Sequence, residues 1–149
     1  MGKAFAAAPL LLLPVAAYNI LALVLGGSLS AGDVGARLAA PVFEMRIASG
    51  GLWPVSLADL LLAGALIVMF IELVKSSHDR RVAIVNHGLS IVLFVACLAE
   101  MLLAAAFATS TFFLITLMVL LDVLAGFIVT IAGARPEPDL RPARSTRRD

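Results

Sequence analysis

Long apolar runs of the sequence contain one neutral polar residue and five ionisable side chains: Asn19, Asp59, Glu72, His87, Glu100 and Asp122. Because an ionisable group is costly in hydrocarbon, each of these side chains is a candidate for moving a proton or a cation. Each also has a structural alternative, in which the polar group is hydrogen-bonded within the fold. The choice between the two depends on where each group lies along its run.

Glu72 and His87 lie about one helical turn inside neighbouring ends of the second and third apolar runs. They could therefore meet and form a hydrogen-bonded pair, or they could form the first steps of a proton relay. Glu72 could also reach water or pair with Lys75 or Arg81. The structural pair is the favoured interpretation.

Glu100 and Asp122 lie deeper, and no basic residue lies at a comparable depth to pair with them. In one interpretation both are protonated and hydrogen-bond to partners such as Asn19, Ser90 or Thr116. In the other they face a hydrated cavity or a basic group of another protein. If the chain transports protons or cations, these two carboxyl groups are the predicted carriers.

Helical spacing places both acids in stripes of polar and small residues that should face other helices rather than lipid. The stripe in the third run comprises Asn86, Ser90, Leu93, Cys97 and Glu100. The stripe in the fourth run comprises Thr111, Ile115, Met118, Asp122, Gly126, Val129 and Gly133. Gly126 lies one turn from Asp122 and would let a neighbouring helix approach closely.

Asp59 has a simpler explanation, because Ser56 and Asp59 have the spacing of a capping box at the start of the second run. The box satisfies backbone donors at a helix start, so we favour a structural role for both residues. The hydroxyl groups at 109–111 could cap the fourth run in a similar way.

The sequence lacks the patterns that catalysis or a prosthetic group would need. Two histidines, with His78 in a predicted loop, are too few for haem held between helices, and the single cysteine, Cys97, excludes a dithiol oxidoreductase. There is no clustered set of metal ligands, no phosphate-binding loop and no catalytic triad. We therefore predict no catalytic residues, no metal, no cofactor and no enzymatic activity. Nucleic acid is excluded as a partner because no basic helix is interleaved with aromatic residues.

The composition indicates that lipid covers much of the chain. Hydrophobic residues make up 62% and charged residues 14% of its 149 residues, whereas soluble domains carry about 45–50% and about 25%. Four runs have roughly the 20 residues that a helix needs to cross a bilayer, and they lie at 9–27, 57–74, 83–107 and 111–132. We predict an all-α integral membrane protein with a four-helix transmembrane domain over residues 1–134. The first run could instead be a cleaved secretory signal, although an uncleaved helix is favoured.

The distribution of basic residues predicts the orientation of these helices. With the N-terminus in the cytoplasm, Arg37 and Arg46 are outside and all other basic residues are inside: Lys3, Lys75, Arg80, Arg81, Arg135, Arg141, Arg144, Arg147 and Arg148. An even number of spans then returns the C-terminus to the cytoplasm. The tail at 135–149 is predicted to be disordered and to lie near anionic lipid headgroups.

The longest connection, residues 28–56, is predicted to carry a small β-hairpin on the outer side. Phe43, Met45 and Ile47 alternate with charged residues, which is strand periodicity. The Ser-Gly-Gly sequence at 49–51 indicates a turn, and residues 52–55 could form the returning strand. Trp53 lies just before the second run, where an indole suits the water–lipid interface.

Three stretches resemble a family of small four-helix bacterial inner-membrane proteins that has no assigned activity. They are PVAAYNIL at 14–21, FIELVK at 70–75, and ATSTFFL at 108–114 followed by DVLAG at 122–126. The resemblance covers the four helices and the hairpin, and it implies that fold and a location in the bacterial inner membrane. It implies no reaction and no catalytic residues.

The favoured function is that of an accessory or assembly subunit of a larger inner-membrane complex, with the lipid bilayer and another membrane protein as partners. The alternative is a small proton- or cation-coupled transporter or channel that acts as a homo-oligomer and uses the intramembrane acids. A membrane-bound sensor or lipid-handling protein is a third hypothesis, without a specific feature in its favour.

Overall fold

The computed structural model describes residues 8–26, 31–75 and 80–132. The predicted tail at 135–149 and the connection at 76–79 lie outside these residues. The described chain forms, in order, helices α1 (Leu12–Gly26) and α2 (Ala31–Ala39), strands β1 (Pro41–Arg46) and β2 (Leu52–Ser56), helices α3 (Leu57–Lys75) and α4 (Arg80–Leu103), a short 3-10 helix (Ala105–Phe107), and helix α5 (Ser110–Ala132).

Three helices of the described chain are long and apolar enough to cross a membrane, namely α3, the part of α4 from Ile84 to Leu103, and the part of α5 from Ser110 to Ile128. Their outer faces expose large apolar side chains such as Phe70, Leu103 and Phe127. This much apolar surface suits lipid better than water. The membrane class predicted from the composition is therefore compatible with the fold.

Helix α1 is shorter than the predicted span at 9–27, and its apolar part runs from Leu12 to Val24. A turn precedes it, in which the Leu12 amide donates to the Pro9 carbonyl at 3.1 Å. Pro14 lies in the first helical turn, where a missing N–H is tolerated because that position has no helical acceptor. Whether α1 also crosses the membrane stays a prediction.

Helix α5 lies at the centre of the bundle and packs against α1, α3 and α4. Its buried side chains recur at helical spacing and include Phe112, Ile115, Val119 and Asp122. In the description below, the hairpin end of the bundle is the end where α3 begins, and the Lys75 end is the end where α3 stops.

The predicted hairpin is confirmed. Strands β1 and β2 pair antiparallel, with Phe43 opposite Val55 and Met45 opposite Trp53. The Ile47 amide donates to the Gly51 carbonyl at 3.0 Å, and the turn passes through Gly50 at a φ of 84°. A positive φ of this kind is readily adopted only by glycine, which explains the turn signal in the sequence.

The region before the hairpin differs from the prediction, which placed only loop there. Residues 31–39 form the amphipathic helix α2, which buries Val34 and Leu38 one turn apart. Helix α2 contacts α1, α3 and the 3-10 helix, so it covers the hairpin end of the bundle. Val34 and Leu38 are the only large apolar residues in this nine-residue segment, and its two glycines, Gly32 and Gly35, lower its helix propensity, so the sequence did not predict a helix here.

The third predicted helix, at 83–107, is also corrected. Helix α4 begins earlier, at Arg80, and ends at Leu103. Ala104 is extended, with φ −124° and ψ 118°, and the 3-10 helix follows it. This early end turns Phe107 into the bundle, where its ring lies 5.8 Å from Tyr18 and 5.0 Å from Phe112.

Ser56 and Asp59 form the reciprocal hydrogen bonds of a capping box at the start of α3. The Asp59 amide donates to Ser56 Oγ at 3.2 Å, and the Ser56 amide donates to Asp59 Oδ2 at 2.9 Å. Ser56 Oγ also donates to the same carboxyl oxygen at 2.7 Å. The box joins the end of β2 directly to the first turn of α3 and so fixes the hairpin relative to the bundle.

We expect Ser56→Ala to lower the free energy of unfolding by about 1 kcal/mol, because the Asp59 amide loses its capping oxygen. Thermal unfolding in detergent measures this effect. Ser49→Ala, in the exposed hairpin turn, is the control and should change stability by less than about 0.5 kcal/mol. Equal melting temperatures for the two variants would contradict a stabilising role for the cap.

Candidate functional site

A cluster of polar side chains lies inside the Lys75 end of the bundle and is called here the Lys75-end cluster. Helix α3 contributes Glu72 and Lys75, α4 contributes Asn86, His87 and Ser90, and α5 contributes Asp122. Its buried members include Glu72, Asn86, Ser90 and Asp122.

Glu72 is 0% exposed and accepts hydrogen bonds from two directions. The Leu10 amide donates to Oε2 at 2.5 Å, and Asn86 Nδ2 donates to Oε1. The Lys75 ammonium lies 3.7 Å from Oε1 and also donates to the Ala8 carbonyl at 2.9 Å. A buried carboxyl is tolerated when donors of this kind surround it, so Glu72 holds together the start of α1 and the adjoining ends of α3 and α4.

The predicted pair of Glu72 with His87 is not formed. Asn86, the preceding residue on α4, takes that place because its position on the helix faces α3. The His87 ring instead packs against Gly126 of α5, and a Cβ at residue 126 would lie 2.5 Å from His87 Nδ1. Among the described residues, His87 Nδ1 and Asn86 Oδ1 are buried atoms without a hydrogen-bond partner.

Asp122 accepts a hydrogen bond from Ser90 Oγ at 2.6 Å. Ser90 is one of the partners expected for the deep acids, whereas Thr116 donates to the Phe112 carbonyl of its own helix at 2.9 Å. The Ser90–Asp122 contact therefore joins the centres of α4 and α5 inside the Lys75-end cluster.

Glu100 lies apart from this cluster. Asn19 Nδ2 donates to Glu100 Oε2 at 3.3 Å and also lies 3.2 Å from the Val15 carbonyl. Asn19 is thus the second expected partner that meets a deep acid. The stripe of α4 between Ser90 and Glu100 carries the buried side chains Leu93 and Cys97, so apolar groups separate the two acidic sites in the described part of the chain.

The polar and small stripes predicted for α4 and α5 face the interior as expected, within the residues that can be described. Asn86, Ser90, Leu93 and Cys97 are buried on α4, and Thr111, Ile115, Met118 and Asp122 are buried on α5. Gly133 and the side chain of Val129 lie outside the described residues. Glu100, at the end of the first stripe, is partly exposed.

Besides the Lys75-end cluster and the Asn19–Glu100 contact, a third polar site lies at the hairpin end of the bundle, and the sequence did not predict it. The Tyr18 hydroxyl lies 2.5 Å from Thr109 Oγ1 and donates to the Ala106 carbonyl at 3.2 Å. Thr109 Oγ1 also accepts from the Phe112 amide at 3.2 Å, which caps α5. The sequence predicted a capping hydroxyl at 109–111. The contact of Thr109 with Tyr18 of α1 depends on the packing of the helices, and no local sequence pattern indicates it.

An open apolar groove of about 250 Å³ runs between α1 and α3, away from the polar groups. Its lining includes Leu13, Ala17, Leu61, Gly64, Ala65 and Val68. Such a groove offers no acid, base or nucleophile, and a lipid chain can fill it. Within the described residues, no group of three His, Cys, Asp or Glu side chains could hold a metal ion.

The geometry of His87 and Gly126 leads to a prediction about packing. A Cβ added at Gly126 would lie 2.5 Å from His87 Nδ1 and 3.1 Å from its Cγ, so the ring or the helices must shift. We expect Gly126→Ala to lower the melting temperature in detergent, because overpacking costs about 1–3 kcal/mol and outweighs the roughly 1 kcal/mol gained in helix propensity.

Gly64→Ala is the matched control, because a Cβ at this position in α3 would meet no heavy atom within 4 Å. Its stability should stay unchanged or rise. Adding His87→Ala to Gly126→Ala should restore part of the lost stability. No recovery in the double variant would show that contact with the imidazole is not the cause.

Comparison of the chain with protein-family models, with curated proteins and with solved structures finds no significant match. The resemblance carried by the three stretches of sequence therefore stays a prediction, and the function has to be argued from the geometry.

Proposed function

We propose that this chain is a non-enzymatic accessory or assembly subunit of a larger complex in the bacterial inner membrane. In this proposal it crosses the membrane four times, with both termini in the cytoplasm and the hairpin outside. Another membrane protein is its partner, and the face of the hairpin described next is the docking surface.

The observation that carries the proposal is the apolar face of the hairpin, formed by Phe43, Met45, Trp53 and Val55. Cross-strand partners point to the same side of a two-stranded sheet, so the register places these four residues together. Val55 is buried against the bundle, while Phe43, Met45 and Trp53 are 47%, 45% and 50% exposed. Large apolar residues grouped on a protruding element are typical of a surface that binds a partner.

The hydrogen bonds of the intramembrane acids also support a structural role over a catalytic one. Glu72, Glu100 and Asp122 each accept a hydrogen bond from another helix or from the start of α1. Groups satisfied in this way stabilise the bundle without needing a substrate. One argument for a partner is weakened at the same time, because Glu100 and Asp122 do not need a basic group from another protein.

Affinity purification of the tagged chain from native membranes in mild detergent tests the proposal. We expect a stoichiometric membrane partner, and we expect Trp53→Ser to reduce its recovery several-fold by removing the largest side chain of the apolar face. Leu52→Ser is the matched control, because Leu52 lies on the same strand but on the opposite face and is 60% exposed. Recovery of the chain without any partner, in cells and in detergent, would refute the proposal.

A proton- or cation-coupled transporter is the alternative, and the Lys75-end cluster is the observation in its favour. Two acids, a histidine and a lysine lie together there, and such groups inside a membrane often belong to a proton path. If the alternative is right, Glu100→Gln combined with Asp122→Asn should abolish proton flux in reconstituted vesicles. Ser49→Ala, in the exposed hairpin turn, should leave it unchanged. Equal flux for the two variants and the parent would exclude these acids as carriers.

A further inference from the structure

The two outer edges of the hairpin differ in their hydrogen-bonding groups. The Ile47 amide donates across the hairpin to the Gly51 carbonyl. Because backbone groups alternate along an antiparallel strand, those of Met45 also point toward β2, whereas those of Glu44 and Arg46 point away from it. On β2 the outward position opposite Glu44 is Pro54, which has no N–H to donate.

The β1 edge is therefore the one that can accept another strand. All six of its residues are exposed, and β2 is the only strand that pairs with it in the described chain. An exposed edge with unpaired donors and acceptors is a template for a further β-strand. The β2 edge lacks a donor at its centre and cannot serve equally well.

The charged residues of β1 favour pairing of this strand with a second copy of itself, in one particular register. An antiparallel copy centred on Glu44 would set Glu44 against Glu44, and a copy centred on Arg46 would set Arg46 against Arg46. Like charges directly opposite one another destabilise a sheet. A copy centred on Met45 instead sets Glu44 of each chain against Arg46 of the other and gives two ion pairs on one face.

The apolar face fits the same register. Met45 then lies opposite Met45 of the second copy, and Phe43 lies opposite Ile47 of the second copy. Both pairs are apolar, and they stand on the side opposite the ion pairs because side chains alternate along a strand. This register thus places oppositely charged side chains next to each other on one face and apolar side chains next to each other on the other face.

We propose that the β1 edge is a dimerisation site for a second copy of this chain, paired antiparallel about Met45 into a four-stranded sheet. The two-fold axis of this pair is normal to the sheet, and both chains enter the membrane in the same direction when that axis lies along the bilayer normal. The apolar face that includes Trp53 stays open on both hairpins. The dimer therefore goes beyond the proposed function and does not depend on it.

Cysteine crosslinking of the full-length chain in native membranes tests the register. Across the axis the two Met45 Cα atoms are about 4.5 Å apart, as in any non-hydrogen-bonded antiparallel pair, and a disulfide needs about 4.4–6.8 Å. We expect Met45→Cys to form a disulfide-linked dimer under mild oxidation. The parent chain should form none, because its native Cys97 is buried.

Phe43→Cys is the matched control. Phe43 lies on the same strand and face as Met45 and has almost the same exposure, 47% against 45%. In the proposed register, however, the two copies of Phe43 are four residues apart along the strand, roughly 13 Å. Its crosslinked fraction should be about a tenth of that of Met45→Cys or less. Equal fractions would indicate random collision and overturn the proposal.

Charge reversal provides an independent test in the Met45→Cys chain. Glu44→Arg alone, or Arg46→Glu alone, sets like charges opposite one another and should lower the crosslinked fraction about fivefold. The double variant Glu44→Arg/Arg46→Glu restores both ion pairs and should restore the crosslink. Failure of the double variant to recover would overturn the register.

The outcomes for the dimer and for the proposed function can be separated. Crosslinking at Met45 without capture of another membrane protein would support the dimer and refute the accessory subunit. Capture of a partner that depends on Trp53, with no crosslink at Met45, would overturn the dimer alone.

Discussion

The buried carboxyl of Glu72 is the group on which the Lys75 end of the bundle depends. It is fully buried and accepts hydrogen bonds from the Leu10 amide and from Asn86, with the Lys75 ammonium 3.7 Å away. Where no water can replace a lost donor, these groups must keep their positions for the acid to be tolerated. The entry of α1, the end of α3 and the start of α4 are therefore fixed by a single side chain.

Helix α5 extends this order through the rest of the bundle. Asp122 joins it to α4 through Ser90, and Gly126 gives the His87 ring the space it occupies. At the other end, Thr109 caps the same helix and contacts Tyr18 of α1. Apolar side chains of similar size pack almost equally well in several positions, so the apolar faces alone do not fix how the helices are placed. The polar contacts therefore fix the rotation of each helix and its position along the bundle axis.

Features with a short-range pattern could be predicted from the sequence. The alternation around Phe43 and Met45 predicted the hairpin, the spacing of Ser56 and Asp59 matches the hydrogen bonds observed, and Asn19 and Ser90 were among the expected partners of the deep acids. Features set by distant contacts could not be predicted. The early end of α4 depends on Phe107 meeting rings from two other helices, and the choice of Asn86 over His87 depends on how α4 is rotated. Helix α2 escaped prediction because small residues surround its two buried side chains.

Pro54 also limits how far a sheet made from these hairpins could grow. A sheet that joins two β1 strands would carry β2 at both of its borders, each with a proline where a further strand would need a donor. Association through the hairpin would then be closed and end at a pair, in contrast to the open-ended stacking that produces fibrils. Pro54 alone would then limit the association of these exposed apolar hairpins to a dimer and prevent further strand-by-strand aggregation.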